Sequence, residues 1–274
     1  MTKKNSDPIE IVYISVAGYT IKMCFQKKKS FYFIKQEIIQ LLKHFILSTS
    51  PKKIDFTIEF IEKQNFIFIE RKHESLTAIY LYEEARGNRI ITYNYISATQ
   101  LFIIIRRVIE KLIKNKGIFL HASSCFINNE VFLFLAKSGG GKTTVSNLIA
   151  KQDQKLTDDV AIITQEGGKF FVYQTYFVEE SPFFRSIKKF PLGKIFFIKK
   201  SNIYKIIKMK RDNRTLDKMT EQIYTELEEY KKEKIAFILN IFSQFDNFYT
   251  LKFGKDRKKL EELFKASLGI KSFS

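Results

Sequence analysis

The stretch FLAKSGGGKTT, residues 134–144, restricts this chain more than any other. It follows an apolar run that reads as a strand and opens a run that reads as a helix, so it is expected to bend tightly between the two. Such a turn directs backbone N–H groups at an anion, and the start of the helix adds its positive end. Gly139, Gly140 and Gly141 let the backbone turn inward, Lys142 stands where a cation reaches terminal phosphates, and Thr143 stands where a hydroxyl ligates Mg²⁺. With the flanking Ser138 and Thr144 these residues are the expected cradle for a nucleotide. One position departs from the G-x-x-x-x-G-K-[ST] pattern: Ala136 replaces the leading glycine. The loop therefore requires Ala136 to keep an ordinary negative φ.

Two further features carry chemistry. KLTDDVAII places Asp158 beside Asp159 in a short polar turn. Adjacent carboxylates repel unless a cation or a proton stabilises them, and a Mg²⁺ bound by Thr143 and phosphate oxygens would supply that cation. One carboxylate can then take a proton from an incoming hydroxyl while the other supports the metal, as phosphoryl transfer requires. A solvent-exposed turn or helix cap accounts equally well for an isolated Asp-Asp pair. His121, at the end of a strand-like run, can orient an aspartate or bond a backbone carbonyl inside the core.

Along the chain, residues 9–25 read as two strands joined by a turn at Ala17-Gly18, and residues 35–47 as an amphipathic helix. Strand patterns follow at 54–61, 65–70, 77–84 and 89–96, with aromatic residues at core spacing rather than in a base-stacking array. Residues 98–115 read as a helix with Ser97 as its cap and Gly117 beyond its end. Then come a strand, an Asn128-Asn129 turn, a strand feeding the glycine loop, and a helix over about 142–152. Strands are expected at 169–174 and 193–200, then a polar patch, a long helical stretch to Phe242, a strand from Asn247 and a closing helix. The chain divides into an N-terminal β-rich α+β unit, residues 1–97, and a loop-bearing domain, residues 98–274.

A chain of 274 residues, 45% of them hydrophobic, buries a substantial core. The net charge of +18 invites a polyanionic partner, but 38 of the 47 basic residues are lysine and they are scattered, which fits a solvated surface better than a nucleic-acid footprint. Cys24 and Cys125 have no metal-ligand spacing and are expected as free thiols in a reducing compartment. No apolar segment approaches the roughly 18 residues of a spanning helix, so a soluble cytoplasmic protein is expected.

The succession LHASSCFINNEVFLFLAKSGGGKTT and KLTDDVAII resembles the catalytic core of the HPr kinase/phosphorylase superfamily. PLGKIFFIKKSNIYKI from Pro191 and YTLKFGKD from Tyr249 are similar to segments of short HPr kinase-like proteins, among them kinases that phosphorylate serine on small peptide precursors. The likeness covers residues 117–256, and its specific motifs lie between His121 and Val160. It implies an α/β (α+β) fold akin to phosphoenolpyruvate carboxykinase, a β-rich P-loop kinase core, with ATP and Mg²⁺ as cofactors. It further implies that Lys142 meets the β- and γ-phosphates and that Thr143 and Asp159 serve the metal. Asp158 would be the base, with His121 in support, although the residues themselves leave the division between the aspartates open. The acceptor it implies is a serine hydroxyl on a protein or peptide; small-molecule acceptors and the oligomeric state stay open. Ala136 departs from the pattern, QTYFVEESP lacks a proline-tryptophan pair found in relatives, and no copy of the glycine-rich segment linked to phosphorylase activity is present. Arg185, Lys188, Lys189, Arg211 and Arg214 are further candidates to meet phosphoryl or acceptor charge, against the commoner role of solvated surface. Two other functions fit the loop: a nucleotide sensor without transfer, and a basic nucleic-acid-associated ATPase whose binding would fall steeply with salt.

Overall fold

The computed structural model describes residues 10–25, 42–61, 84–93, 97–151, 154–175 and 188–270. The protein is a mixed α/β chain of two compact units, residues 1–108 and 109–274. In the first, β1 (Glu10–Val16) and β2 (Tyr19–Phe25) form the expected hairpin, with Ala17 and Gly18 both at positive φ in its turn. β2 pairs in parallel with β3 (Phe56–Ile61), β3 in parallel with β5 (Arg89–Tyr93), and β4 (Glu84–Arg86) closes the sheet antiparallel to β5. Alternate residues Ile21, Met23 and Phe25 face inward, and Phe25 stacks on Phe60 at 4.3 Å. The strands expected at 65–70 and over most of 77–84, and most of the helix expected from Lys35, lie outside the described residues.

Helix α1 (Ala98–Ile113) begins with a reciprocal cap: Gln100 N–H donates to Ser97 Oγ at 3.2 Å, and Ser97 N–H donates to Gln100 Oε1 at 2.8 Å. Gly117 lies beyond the helix end, after a turn over 114–116, and opens β6 (Gly117–Ile127). Strand β6 organises the second unit. Its first half pairs with β9 (Val160–Glu166), and its second half pairs with β7 (Glu130–Leu135) through the Asn128-Asn129 turn, both asparagines at positive φ. From β9 the sheet continues to β10 (Lys169–Tyr173). From β7 it runs in parallel to β11 (Lys189–Lys200), in parallel again to β14 (Phe248–Phe253), and ends at β12 (Lys205–Lys208). Because β10 also pairs with the first residues of β11, the ladder β10-β9-β6-β7-β11 returns to its start.

The parallel centre is apolar on both faces, as buried parallel strands require. Val131, Leu133 and Leu135 of β7 enter one core cluster with Phe237, Ile238 and Ile241 of α4 (Lys231–Gln244). Phe132 and Phe134 enter the other, beneath α2 (Lys142–Ile149) and α5 (Arg257–Leu268). β11 starts four residues earlier than the sequence pattern indicates, because its first residues pair with β10 and a register shift between Leu192 and Lys194 lets it turn to β7.

The expected long helix to Phe242 is interrupted. The stretch that reads as a polar patch holds α3 (Asn213–Thr220), capped by Asp212, which accepts from Thr215 N–H at 2.9 Å. Only Thr215 and Met219 of α3 are buried, a stripe too narrow to register in the sequence pattern. Beyond it β13 (Ile223–Tyr224) adds to β6, and the pairing overrides helix propensity there. No helix among the described residues is long and apolar enough to cross a membrane.

Candidate functional site

β7 ends at Leu135, and the loop turns at once. Gly140 N–H bonds Lys137 carbonyl at 2.9 Å, Gly139 lies at φ 73°, and Gly141 at φ 100° serves as the N-cap of α2. No side chain caps this helix. Its first intrahelical bond is Val145 N–H to Gly141 carbonyl, leaving the N–H groups of its first turn directed out of the helix, the arrangement that receives anions. Ala136 keeps a negative φ, so the departure from the glycine pattern costs the backbone nothing. Its methyl fills the space in front of Gly140: a Cβ added at Gly140 would lie 2.5 Å from Ala136 Cβ and 2.8 Å from Lys137 carbonyl.

Two ammonium groups rest on the loop's own carbonyls, Lys142 Nζ on Ala136 O at 3.1 Å and Lys200 Nζ on Gly139 O at 2.8 Å. Ser123 Oγ of β6 donates to Lys142 carbonyl at 2.9 Å and ties the start of α2 to the sheet. Lys200 and Ser123 were not marked by the sequence. Lys200 ends β11, and only the parallel pairing of β11 with β7 brings it to the loop.

The aspartates occupy the bend between β8 (Lys155–Thr157) and β9. Thr157 Oγ1 donates to Val160 carbonyl at 2.8 Å across that bend, and Ala122 N–H donates to Asp159 carbonyl at 2.9 Å, so β6 fixes the pair. Asp158 is buried, 5% exposed, whereas the Asp159 side chain is half exposed. His121 Nδ1 stands 3.4 Å from Asp159 Oδ1. The imidazole meets Tyr224 edge-on at 5.0 Å, and His121 N–H donates to Gln222 carbonyl at 2.8 Å, so the segment around β13 braces it.

One cleft of about 310 Å³ is lined by Ser138 to Thr144, by Asp158 and Asp159, and by Lys200. His121 joins it through Asp159. Loop N–H groups, two lysines, a threonine hydroxyl and two carboxylates thus converge on one space. That donor set fits a nucleotide triphosphate with a hard divalent cation. Among the described residues no group of three or more His, Cys, Asp or Glu could hold a metal ion by itself. A metal here would share its coordination among Thr143, a carboxylate, phosphate oxygens and water, the mode in which Mg²⁺ is usually bound.

The other candidate cations stand elsewhere. Lys189 pairs with Glu166 and covers the Phe171 ring. Arg211 donates to Ser243 carbonyl at 2.6 Å and pairs with Asp246 at 3.0 Å. Arg214 borders a separate surface depression, Lys188 is exposed outside the cleft, and Arg185 lies outside the described residues. Cys125 is wholly buried beneath α2, where burial pushes its thiol far above the ordinary range. No protein-family model matches the chain, and no curated protein matches it in sequence.

Proposed function

We propose that the protein is an ATP- and Mg²⁺-dependent kinase of the HPr kinase-like type that transfers the γ-phosphoryl group to a hydroxyl, a serine on a protein or peptide. The observation that carries the proposal is the single cleft holding the glycine loop, Lys142, Thr143 and the paired aspartates together. A structural turn would need the glycines but not this company.

In this mechanism the N–H groups of residues 139–144 hold the phosphate chain, and Lys142 leaves the Ala136 carbonyl for the β- and γ-phosphates. Magnesium, when bound at Thr143 and Asp159, would neutralise charge on the phosphates. Asp158, enclosed in the cleft wall, takes the proton of the acceptor hydroxyl. The acceptor oxygen forms its bond to the γ-phosphorus, the bond from that phosphorus to the β–γ bridging oxygen breaks, and ADP leaves. His121 holds Asp159 in place. Lys200, one strand from the loop, supplies a second cation.

The test is transfer from γ-labelled ATP to candidate serine peptides. Lys142→Ala and Asp158→Asn are each expected to lower the rate by about 10²-fold or more with the circular dichroism spectrum unchanged. Wild-type labelling by Asp158→Asn protein would remove the assignment. ATP binding without transfer to any hydroxyl would reduce it to nucleotide sensing.

A further inference from the structure

The glycine loop stands between two unlike neighbours. β7, from which it springs, has β6 along one edge and β11 along the other. The aspartates belong to the β6 side, where Ala122 N–H holds the Asp159 carbonyl at 2.9 Å. Lys200, the last residue of β11, belongs to the opposite side. Asp158, Asp159 and Lys200 all line the one cleft, so a phosphate chain seated in the loop has carboxylates toward one end and an ammonium toward the other. The group that is transferred lies at the carboxylate end. The phosphates that stay behind lie toward Lys200.

Lys200 is held in position along its whole length. Its backbone lies opposite Phe253 of β14, and the next residue anchors the pair, Ser201 N–H donating to the Phe253 carbonyl at 2.8 Å. Its stem runs past Gly141, the N-cap of α2. A Cβ added at Gly141 would lie 3.3 Å from Lys200 Cε and 3.1 Å from Phe253 Cζ, so the glycine leaves the room that the stem occupies. Its Nζ rests on the Gly139 carbonyl at 2.8 Å. Gly139 is exposed, so water can serve that carbonyl and the loop does not need the ammonium to satisfy it. Other lysines of the same strand pair with carboxylates, Lys189 with Glu166 and Lys194 with Glu130. Lys200 instead meets a neutral dipole, a weaker partner for an ammonium than an anionic phosphate oxygen.

We infer that Lys200 binds the phosphates that are not transferred, so that its contribution outlasts the reaction and ADP stays in the cleft as an inhibitor competing with ATP. The inference rests on the nucleotide reading of the cleft, and on transfer only for which end of the chain reacts. A contact kept before, during and after transfer lowers KM without raising kcat, and it slows the loss of ADP. Lys142, directed at the β- and γ-phosphates, differs in that its contact changes as the γ-phosphoryl group leaves.

Wild type, Lys200→Ala and Lys200→Arg are titrated calorimetrically with ATP and with ADP over a range of KCl concentrations, and transfer to a serine peptide is followed with ADP added. In Lys200→Ala the affinities for ATP and ADP are expected to fall together by about tenfold, the loss of one charge-assisted contact. Their dependence on salt becomes shallower, because one screened ion pair is gone. The variant's kcat/KM falls through KM, and its ADP inhibition constant rises by the same factor. Lys200→Arg, which keeps the charge, is expected to stay within about threefold of wild type. ADP affinity unchanged in Lys200→Ala overturns the inference. Weaker binding with the salt dependence intact overturns it in favour of a strap that only holds the loop to β11. A fall in kcat of about tenfold or more at constant KM overturns it by placing Lys200 on the transferring group. Charge-dependent loss of ADP affinity in a protein that transfers to no hydroxyl supports the inference and removes the kinase. Failure of the wild type to bind either nucleotide removes both.

Discussion

Ala136 and Gly140 act as a pair. The methyl that departs from the usual loop pattern is accommodated because the residue facing it has none, and a Cβ at Gly140 would meet both that methyl and the Lys137 carbonyl. Gly140→Ala is therefore expected to weaken nucleotide binding at least about tenfold, since backbone must shift in the cradle itself. Ala136→Gly, at a residue with negative φ, is expected to leave binding within about threefold. Calorimetric titration with ATP checks both, and full binding by Gly140→Ala would show that the loop adopts another shape when it holds phosphate. Residues 138–144 and the aspartate pair were legible in the sequence because their relations are local: a fixed register along one turn, and two neighbours in one bend. Lys200 was not. Its contact with Gly139 depends on β11 lying beside β7, and nothing in the local pattern of KIFFIKK announces its neighbour.

At the scale of elements, the segment that braces His121 is itself held by a buried ion pair. Glu110 of α1 and Lys234 of α4 are each nearly inaccessible and paired. Glu110 also accepts from Thr225 Oγ1 and from Glu226 N–H, each at 2.9 Å, and Lys234 donates to Leu227 carbonyl at 2.9 Å. This network fixes the chain after β13, and the next links are Tyr224 against the His121 ring and Gln222 on the His121 backbone. Removing one partner leaves a buried charge uncompensated, so Glu110→Ala or Lys234→Ala is expected to cost about 3–5 kcal/mol. Replacing both by apolar residues of similar volume is expected to recover most of it. Urea denaturation of the four proteins forms the cycle, and equal losses in the single and double variants would contradict the pairing. The network also explains why the expected continuous helix to Phe242 is broken. Helical periodicity is visible in sequence, whereas a strand of two residues and a polar knot made by three separated segments are not.

Across the whole molecule the sequence pattern changes near residue 97, whereas the junction of the compact units falls inside α1, where a helix pattern runs through without a mark. Stability at alkaline pH reports on the core as a unit. The native Cys125 thiol keeps its proton to higher pH than the unfolded thiol, whose ordinary value is 9.0. Its contribution is complete below that pH and is lost as pH rises above it, by up to about 1.4 kcal/mol per unit. Urea midpoints from pH 8 to 10.5 are expected to fall more steeply for the wild type than for Cys125→Ala; identical slopes would place the thiol in water. The returning ladder has a different consequence, one of timing. The glycine loop is synthesised early in the second unit, but its floor is shared with β11 and β14, and β14 comes near the C-terminus. Parallel pairings between strands far apart in sequence close late in folding. A nascent chain halted before β11 carries every residue of the glycine loop and β6 on one side of β7, but not the strand that supplies Lys200 on the other. On the proposed function, full competence to grip a nucleotide then belongs to the finished chain, and partly made molecules present the motif with its cradle incomplete.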